Sequence, residues 1–149
     1  MELRREDSLG YQVNLLARLF ERALRERIAP HGVVPGQFPA LLCLYEQDGL
    51  TQAEIGGRVQ IEQPTIANTL QRMERDGLIR RVADPDDRRR VRIHLTPQAR
   101  ALEPTLAAVA REINARATDG LTRAEAEHLM ASVTRIIANL GGRDQAADR

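Results

Sequence analysis

Apolar residues recur at intervals of three and four along both ends of the chain, and they alternate strictly with polar residues only near its middle. Residues 8–29 carry one helical stripe, with Ser8 as the expected N-cap and a stop at Pro30–Gly32. A second long helix is predicted from Thr96–Pro97 onward, and a third over residues 122–140. These patterns predict amphipathic helices towards both termini.

Three shorter helices are predicted in the middle of the chain. The first starts near Pro35 and ends at Asp48–Gly49. The second is short and opens with the capping-box pattern Thr51–Glu54, and the third occupies residues 62–76. A short helix followed closely by another one is typical of a helix-turn-helix.

A β-hairpin is predicted directly after these helices. Its strands are Leu78–Val82 and a second, alternating segment in which Val91 is expected on the same apolar face as Ile93; the turn is Asp84–Asp87. The order of elements predicts a mainly α protein, an α+β winged helix-turn-helix with long N- and C-terminal dimerisation helices.

The predicted organisation is a single domain over residues 1–149. Residues 35–95 form the winged helix-turn-helix lobe, residues 8–29 and 97–140 form the dimerisation helices, and residues 141–149 are a polar tail expected to be disordered. The apolar faces of the terminal helices have little to pack against within one chain, so a homodimer is expected.

The charge of the chain is clustered rather than large. The formal net charge is only +1, and all 22 basic residues are arginine. Eight of these arginines fall between Arg72 and Thr96, in the last helix of the lobe and the hairpin. A guanidinium group suits phosphates and base edges better than an ammonium group does. The cluster therefore predicts double-stranded DNA as the partner.

The helix over residues 62–76 is the candidate recognition helix, because one of its faces is polar and the opposite face is apolar. Amide side chains can bind adenine and arginine can bind guanine, and threonine can hold a phosphate or contact a thymine methyl group. The candidate DNA-binding residues in this helix are Gln63, Pro64, Thr65, Asn68, Thr69 and Arg72.

The hairpin tip supplies the second set of candidates. Arg88, Arg89 and Arg90 cannot all point the same way, and one or two of them are expected to reach the minor groove. Asp86 or Asp87 is expected to hold another arginine by an ion pair. Arg80 and Arg81 either touch phosphate or are simply solvated, and the sequence leaves both alternatives open.

No residue pattern indicates catalysis, a metal site or a cofactor. The three histidines lack metal-ligand spacing, and no nucleophile–base pair or glycine-rich phosphate loop is present, so the chain is not expected to be an enzyme. Cys43 lies among leucines and is expected to be a small buried hydrophobe rather than a redox sensor. With no signal-peptide pattern and no apolar run of membrane-spanning length, a cytoplasmic protein without a membrane partner is expected.

Two segments of the chain resemble the MarR family of bacterial transcriptional regulators. They are L-T-Q-A-E-I-G-G-R-V-Q-I-E-Q-P-T-I-A-N-T-L-Q-R-M-E-R-D-G-L-I-R-R (Leu50–Arg81) and D-P-D-D-R-R-R-V-R-I-H-L-T (Asp84–Thr96). The resemblance extends over residues 8–140. It implies a homodimer with a winged helix in each subunit, binding to pseudo-palindromic operators, usual repression, and release by a small anionic or phenolic effector or by oxidation.

The resemblance also implies residue roles. Residues 63–72 match the DNA-reading helix, Arg88 and Arg89 match the wing, and Ser8–Ala29 and Thr122–Leu140 match the dimerisation helices. Family members that sense peroxide carry a cysteine in the first helix, whereas this chain has Cys43 in the second, so the resemblance does not imply peroxide sensing.

Two other classes of function are consistent with the same fold. One is a protein-interaction module whose basic hairpin docks an acidic partner, since a fold does not determine a function. The polar recognition face argues against it, because protein interfaces favour exposed aromatic residues. The other is a helical ligand-binding or catalytic protein, and the absence of a catalytic pattern argues against that.

Overall fold

A computed structural model describes residues 4–141, so the predicted tail, apart from Gly141, lies outside the described residues. The described residues divide into two compact units, one up to residue 113 and one from residue 114 onward. The six helices of the described residues are α1 (Leu9–Ile28), α2 (Phe38–Glu46), α3 (Gln52–Val59), α4 (Gln63–Arg75), α5 (Pro97–Ala117) and α6 (Arg123–Gly141). The strands are β1 (Leu50–Thr51), β2 (Ile79–Ala83) and β3 (Val91–Leu95). Single 3-10 turns occupy Arg5–Asp7, Ala29–His31 and Pro35–Gln37.

The predicted helix starts are confirmed by their caps. Ser8 Oγ accepts a hydrogen bond from the Tyr11 amide at 3.3 Å and begins α1. Thr51 Oγ1 accepts from the Glu54 amide at 3.2 Å and begins α3. The Glu54 carboxylate does not complete the predicted capping box; it contacts the Arg90 guanidinium, 3.5 Å away.

The hairpin prediction is correct in position but incomplete. The sheet has three antiparallel strands in the order β1-β3-β2, because Leu50 and Thr51 pair with Ile93 and Arg92. A segment of two residues is too short to show an alternating pattern, so β1 cannot be predicted from the sequence. This strand ties the start of α3 to the hairpin.

The core of the first unit is aliphatic and lies between α2, α3, α4, α5 and the sheet. Its fully buried side chains include Leu41, Leu44, Ile55, Ile66, Leu70, Met73, Ile93 and Leu106. Val91 keeps the regular register of the strand, but it pairs with Ala83 beside the turn and is 41% exposed, beyond the edge of the core. The inner face of β3 therefore begins at Ile93.

The second unit contains the end of α5 and all of α6. α6 begins with a complete capping box, in which Thr122 Oγ1 accepts from the Glu125 amide at 3.1 Å and the Glu125 carboxylate accepts from the Thr122 amide at 2.7 Å. None of the residues of α6 is buried. No helix within residues 4–141 is both long and apolar enough to cross a membrane.

Candidate nucleic-acid interface

The candidate recognition helix, α4, is fixed by one apolar face. Ile66, Leu70 and Met73 are each 0% exposed, at the four- and three-residue spacing that one helix face requires. The opposite face is polar, with Thr65, Asn68 and Arg72 exposed and Thr69 half-buried. Packing therefore orients these candidate side chains away from the core.

The first residues of α4 are packed closely against α3. Gln60 adopts a left-handed conformation (φ 53°) in the turn between the two helices. A Cβ atom at Gly56 would meet the Gln63 side-chain amide and lie 3.2 Å from the Ile61 carbonyl oxygen, so this position favours glycine. Gln63 Oε1 accepts a hydrogen bond from Gln52 Nε2 at 3.4 Å. Gln63 thus contacts α3 through Gln52, although both Gln63 and Pro64 are exposed.

Thr69 uses its hydroxyl proton within the helix. Its Oγ1 donates to the Thr65 carbonyl oxygen at 3.0 Å. The methyl group and the Oγ1 lone pairs remain for a partner on the outer face. Thr69 is therefore suited to contact a methyl group or a donor, and not to donate to a phosphate.

The arginines at the end of α4 and in β2 divide into two groups. Arg75 Nε lies 3.1 Å from Asp76 Oδ1, and Arg81 Nε lies 3.7 Å from Glu74 Oε2. Arg72 and Arg80 are exposed and make no ion pair with any residue that the structure describes. Arg72 also lines an open groove with Asn68 and Gln71. Arg72 is thus the cation that the helix offers to a ligand, whereas Arg81 is paired within the protein.

The wing, residues 84–90 between β2 and β3, is fixed by a buried carboxylate. Asp84 is 3% exposed; its Oδ1 accepts from the Asp86 amide at 2.9 Å, and its Oδ2 accepts from Arg92 Nε at 2.8 Å. Arg92 Nη1 also donates to the Gly49 carbonyl oxygen at 2.9 Å. Hydrogen bonds from the Asp86 amide and the Arg92 guanidinium hold the pKa of Asp84 below its ordinary value, although burial acts in the opposite direction.

The prediction that Asp86 or Asp87 would hold an arginine is wrong, because Asp84 does so. Asp87 Oδ1 instead accepts from the Arg89 amide at 3.0 Å and shapes the turn. The reason is position: Asp84 closes the hairpin beside β3, while Asp86 and Asp87 lie within the turn, where aspartate caps backbone N–H groups.

The three arginines of the wing are not equivalent. Arg88 and Arg89 are exposed and form no ion pair within residues 4–141. Arg90 is directed back to α3, with Nη2 3.5 Å from Glu54 Oε1 and a side chain that is 53% exposed. The arrangement leaves Arg88 and Arg89 available to an anion and partly neutralises Arg90.

A second polar cluster joins the hairpin to the start of α5. Asp48 accepts hydrogen bonds from the Leu95 amide at 2.8 Å, from the His94 ring at 2.9 Å and from Arg100. Burial alone would raise the pKa of Asp48, but these three donors hold it below its ordinary value. Asp48 and Asp84 together fix both ends of β3. Neither is among the predicted site residues: the partners of Asp48 are distant in sequence, and the turn contains three aspartates, of which only the fold selects Asp84.

The remaining candidates for chemistry are structural. Cys43 is buried, and burial raises the pKa of its thiol, although Arg58 opposes this. In the described part of the chain, no group of three or more His, Cys, Asp or Glu residues could hold a metal ion. An open groove between α2 and α5 is lined by Leu42, Tyr45, Glu46, Glu103, Leu106 and Ala107. Tyr45 donates to the Ala99 carbonyl oxygen at 2.6 Å, and burial, aided by Glu103, raises the pKa of Tyr45 to about 12.

A short helix, a recognition helix with a polar outer face and a hairpin with free arginines define a winged helix-turn-helix protein. Residues 34–91 match the MarR family. The chain is 37% identical over 98 residues to the HTH-type transcriptional regulator TtmR of Methylorubrum extorquens, which covers 66% of this chain and 50% of TtmR. The match thus spans half the length of that relative.

Solved structures agree with this match. A probable transcriptional regulator from Pseudomonas aeruginosa is 34% identical with a TM-score of 0.81, over 90% of this chain and 100% of that one. The transcriptional repressor CouR, solved with a 23-mer DNA duplex, is 28% identical with a TM-score of 0.79, over 91% and 99% of the two chains. The chain belongs to the MarR family. The relatives are named as transcriptional regulators, in agreement with the expectation that it is not an enzyme.

Proposed function

We propose that this protein is a sequence-specific DNA-binding repressor that binds a pseudo-palindromic operator as a homodimer and is released by a small molecule. The observation that carries the proposal is the division of the arginines. Arg72 on the recognition helix and Arg88 and Arg89 on the wing are exposed and unpaired within the described residues, as is Arg80 on β2. The other arginines of these elements, Arg75, Arg81, Arg90 and Arg92, are paired with carboxylates. A surface that keeps selected cations free over two elements is suited to a polyanion.

The recognition helix supplies the base contacts in this proposal. Asn68 suits adenine and Arg72 suits guanine, because each side chain can form two hydrogen bonds to one base edge. Thr65 contacts thymine or the backbone and Thr69 contacts a thymine methyl group, beside Gln63 and Pro64 at the start of the helix. Arg88 and Arg89 reach the adjacent minor groove, together with Arg90, which Glu54 partly neutralises. The structure of the related repressor CouR with a 23-mer DNA duplex supports duplex DNA as the partner.

The dimer is proposed from two exposed apolar faces. On α1, Leu9, Val13 and Leu16 are each at least half exposed, although they continue the stripe that is buried at Ile28. On α6, Leu129, Met130, Val133, Ile137 and Leu140 are exposed. In this proposal residues 8–29 and 97–140 form the dimer, residues 35–95 read DNA, and two recognition helices bind half-sites about one helical turn apart.

The proposed effector site is the groove between α2 and α5. Its floor is apolar at Leu106, and its lining includes two carboxylates, Glu46 and Glu103, and no basic residue. This lining favours neutral or cationic effectors over the organic acids that many family members sense. Thermal-shift screening of matched hydrophobic amines and acids tests this assignment, since a ligand that binds only the folded protein raises its stability.

Fluorescence anisotropy with the DNA upstream of the gene tests the central proposal. We expect tight binding that weakens steeply with salt. Arg72→Ala is expected to relax the preference for one base pair and to cost ~1–3 kcal/mol. Arg25→Ala is the matched control, because it removes the same charge from α1, where Arg25 pairs with Glu21. Salt-insensitive binding, or equal effects of the two variants, would contradict the proposal.

A further inference from the structure

Two polar side chains are buried within residues 4–141. One lies in the proposed wing, and the other contacts the end of the proposed recognition helix. Asp84, described above, fixes the wing. The other is Gln37, which is 2% exposed and lies in the 3-10 turn before α2. A buried amide lowers stability unless its donors and acceptor are satisfied, so the partners of Gln37 indicate what the residue does.

The Gln37 amide joins two segments that are far apart in sequence. Its Oε1 accepts from the Val34 amide at 3.1 Å, and its Nε2 donates to Asp76 Oδ2 at 2.9 Å. Asp76 is the C-cap of α4, and its own amide donates to the Arg72 carbonyl oxygen at 2.9 Å. Gln37 therefore connects the turn before α2 to the last residue of the recognition helix.

The aspartate at the end of α4, Asp76, indicates that its contact with Gln37 does more than stabilise the helix. The C-terminal end of a helix carries partial negative charge, so a carboxylate there is electrostatically unfavourable. Hydrogen bonds from Arg75 and Gln37 hold the pKa of Asp76 below its ordinary value, which keeps the carboxylate ionised and accepting. The unfavourable charge is thus used to fix the helix end to Gln37.

We propose that Gln37 is a positioning residue that sets the end of the recognition helix against the turn before α2, so that operator affinity depends on its hydrogen bond to Asp76. The consequence for DNA rests on the proposed function, whereas the effect on the order of α4 does not. Gln37 lies outside residues 63–72 and 88–90, and it acts through Asp76 without touching DNA.

A donor–acceptor swap tests the inference. Gln37→Glu places a carboxylate against Asp76 and removes the donor. Asp76→Asn keeps an acceptor, and alone it measures the loss of the Arg75 ion pair. The double variant Gln37→Glu/Asp76→Asn restores the hydrogen bond with its polarity reversed, because the new amide can donate to the new carboxylate while the Val34 amide keeps its acceptor.

Two measurements are made on the full chain at neutral pH, after circular dichroism has verified folding. Hydrogen exchange of the peptide covering residues 63–77 is expected to be faster in Gln37→Glu than in the unaltered protein. In the double variant the exchange rate is expected to return to that of the unaltered protein. Operator affinity is expected to fall about 10-fold in Gln37→Glu, as the loss of one buried hydrogen bond predicts, and to recover in the double variant to the level of Asp76→Asn. Affinity for unrelated DNA should change much less, since the free arginines are unaltered.

The outcomes separate the two proposals. Unchanged exchange in Gln37→Glu, or a double variant no better than Gln37→Glu, would overturn the positioning role whatever the protein binds. Unchanged operator affinity despite faster exchange would also overturn it. Failure of the unaltered protein to bind its upstream DNA, with the expected exchange pattern, would instead overturn the proposed function.

Discussion

The recognition helix and the wing both present free arginines, but they are attached to the molecule by different forces. α4 is attached through Ile66, Leu70 and Met73, which are all fully buried. The wing is attached by polar contacts, of which the partly buried ones run from the Asp84 carboxylate to the Arg92 guanidinium to the Gly49 carbonyl oxygen. An exposed ion pair between Arg90 and Glu54 adds to them. The residues that follow Asp84 in the wing are exposed.

This difference has consequences for how the two elements respond to conditions. Hydrophobic packing is non-directional and depends little on salt or pH, so α4 keeps its orientation as long as the core is folded. An ion pair is directional and depends on the ionisation of its carboxylate. The recognition helix α4 therefore keeps its position as long as the protein is folded, whereas the wing can lose its position while the core stays folded.

The largest expected effect comes from removing the apolar attachment of the helix. Leu70→Ala deletes a fully buried side chain, and such truncations cost ~2–5 kcal/mol. We expect the urea midpoint to fall and binding through both elements to be lost, because the strands that carry the wing pack on the same core through Ile79 and Ile93. Val82→Ala, at a 37% exposed position of β2, is the control and should change stability by less than ~1 kcal/mol. Equal falls in the urea midpoint for Leu70→Ala and Val82→Ala would contradict the conclusion that α4 is attached through its buried apolar face.

The next effect comes from removing the polar attachment of the wing. Arg92→Ala leaves the Asp84 carboxylate and the Gly49 carbonyl oxygen without their guanidinium partner. We expect operator affinity to fall by about 10-fold, the loss of one charge-assisted contact, while the apolar core stays folded. Arg92→Lys should rescue little, since one ammonium group cannot reproduce the forked contact. Arg111→Ala on α5 controls for the lost charge. If Arg92→Ala also lowered the hydrogen-exchange protection of α4, the helix and the wing would not be attached separately.

The apolar attachment could be predicted from sequence, and the polar one could not. The four- and three-residue spacing of Ile66, Leu70 and Met73 predicts a buried helix face without knowledge of what covers it. The same reasoning correctly predicted the hairpin, because alternation in β3 is a local pattern. It does not predict that Val91 is exposed, since alternation gives the face of a residue but not how far the core extends along the strand.

Polar contacts were missed because they depend on which distant residues meet. Gln37 and Asp76 are separated by 39 positions, and Arg92 reaches Gly49 across 43. The turn composition predicted an aspartate–arginine pair in the wing, but only the fold identifies Asp84 as its acid. β1 was missed for a related reason: two residues become a strand only because β3 lies beside them.

Acid is expected to release the wing before the helix. The folded-state pKa of Asp84 is lower than its ordinary value of 3.8, so its ionised form stabilises the folded wing. That stabilisation is complete above the ordinary value and is lost as pH falls through the lower, folded-state pKa. NMR amide signals of Arg88–Arg90 should therefore change below about pH 4, before those of Ile66–Met73. In Asp84→Asn the early change should be absent, and simultaneous loss of both sets of signals would contradict the prediction.

The smallest expected effect distinguishes two arginines within the wing. Arg89 is exposed and unpaired within the described residues, whereas Arg90 already contacts Glu54 at 3.5 Å. A cation that displaces one counterion from DNA contributes about 0.9 to the slope of log affinity against log salt. Arg89→Ala should therefore lower that slope by about one unit. Arg90→Ala should lower it less, because part of its charge is compensated, and Glu54→Gln should shift the slope in the opposite direction by freeing Arg90. Anisotropy titrations at four or more salt concentrations measure these slopes, and a larger loss for Arg90→Ala than for Arg89→Ala would show that the ion pair with Glu54 opens when DNA binds.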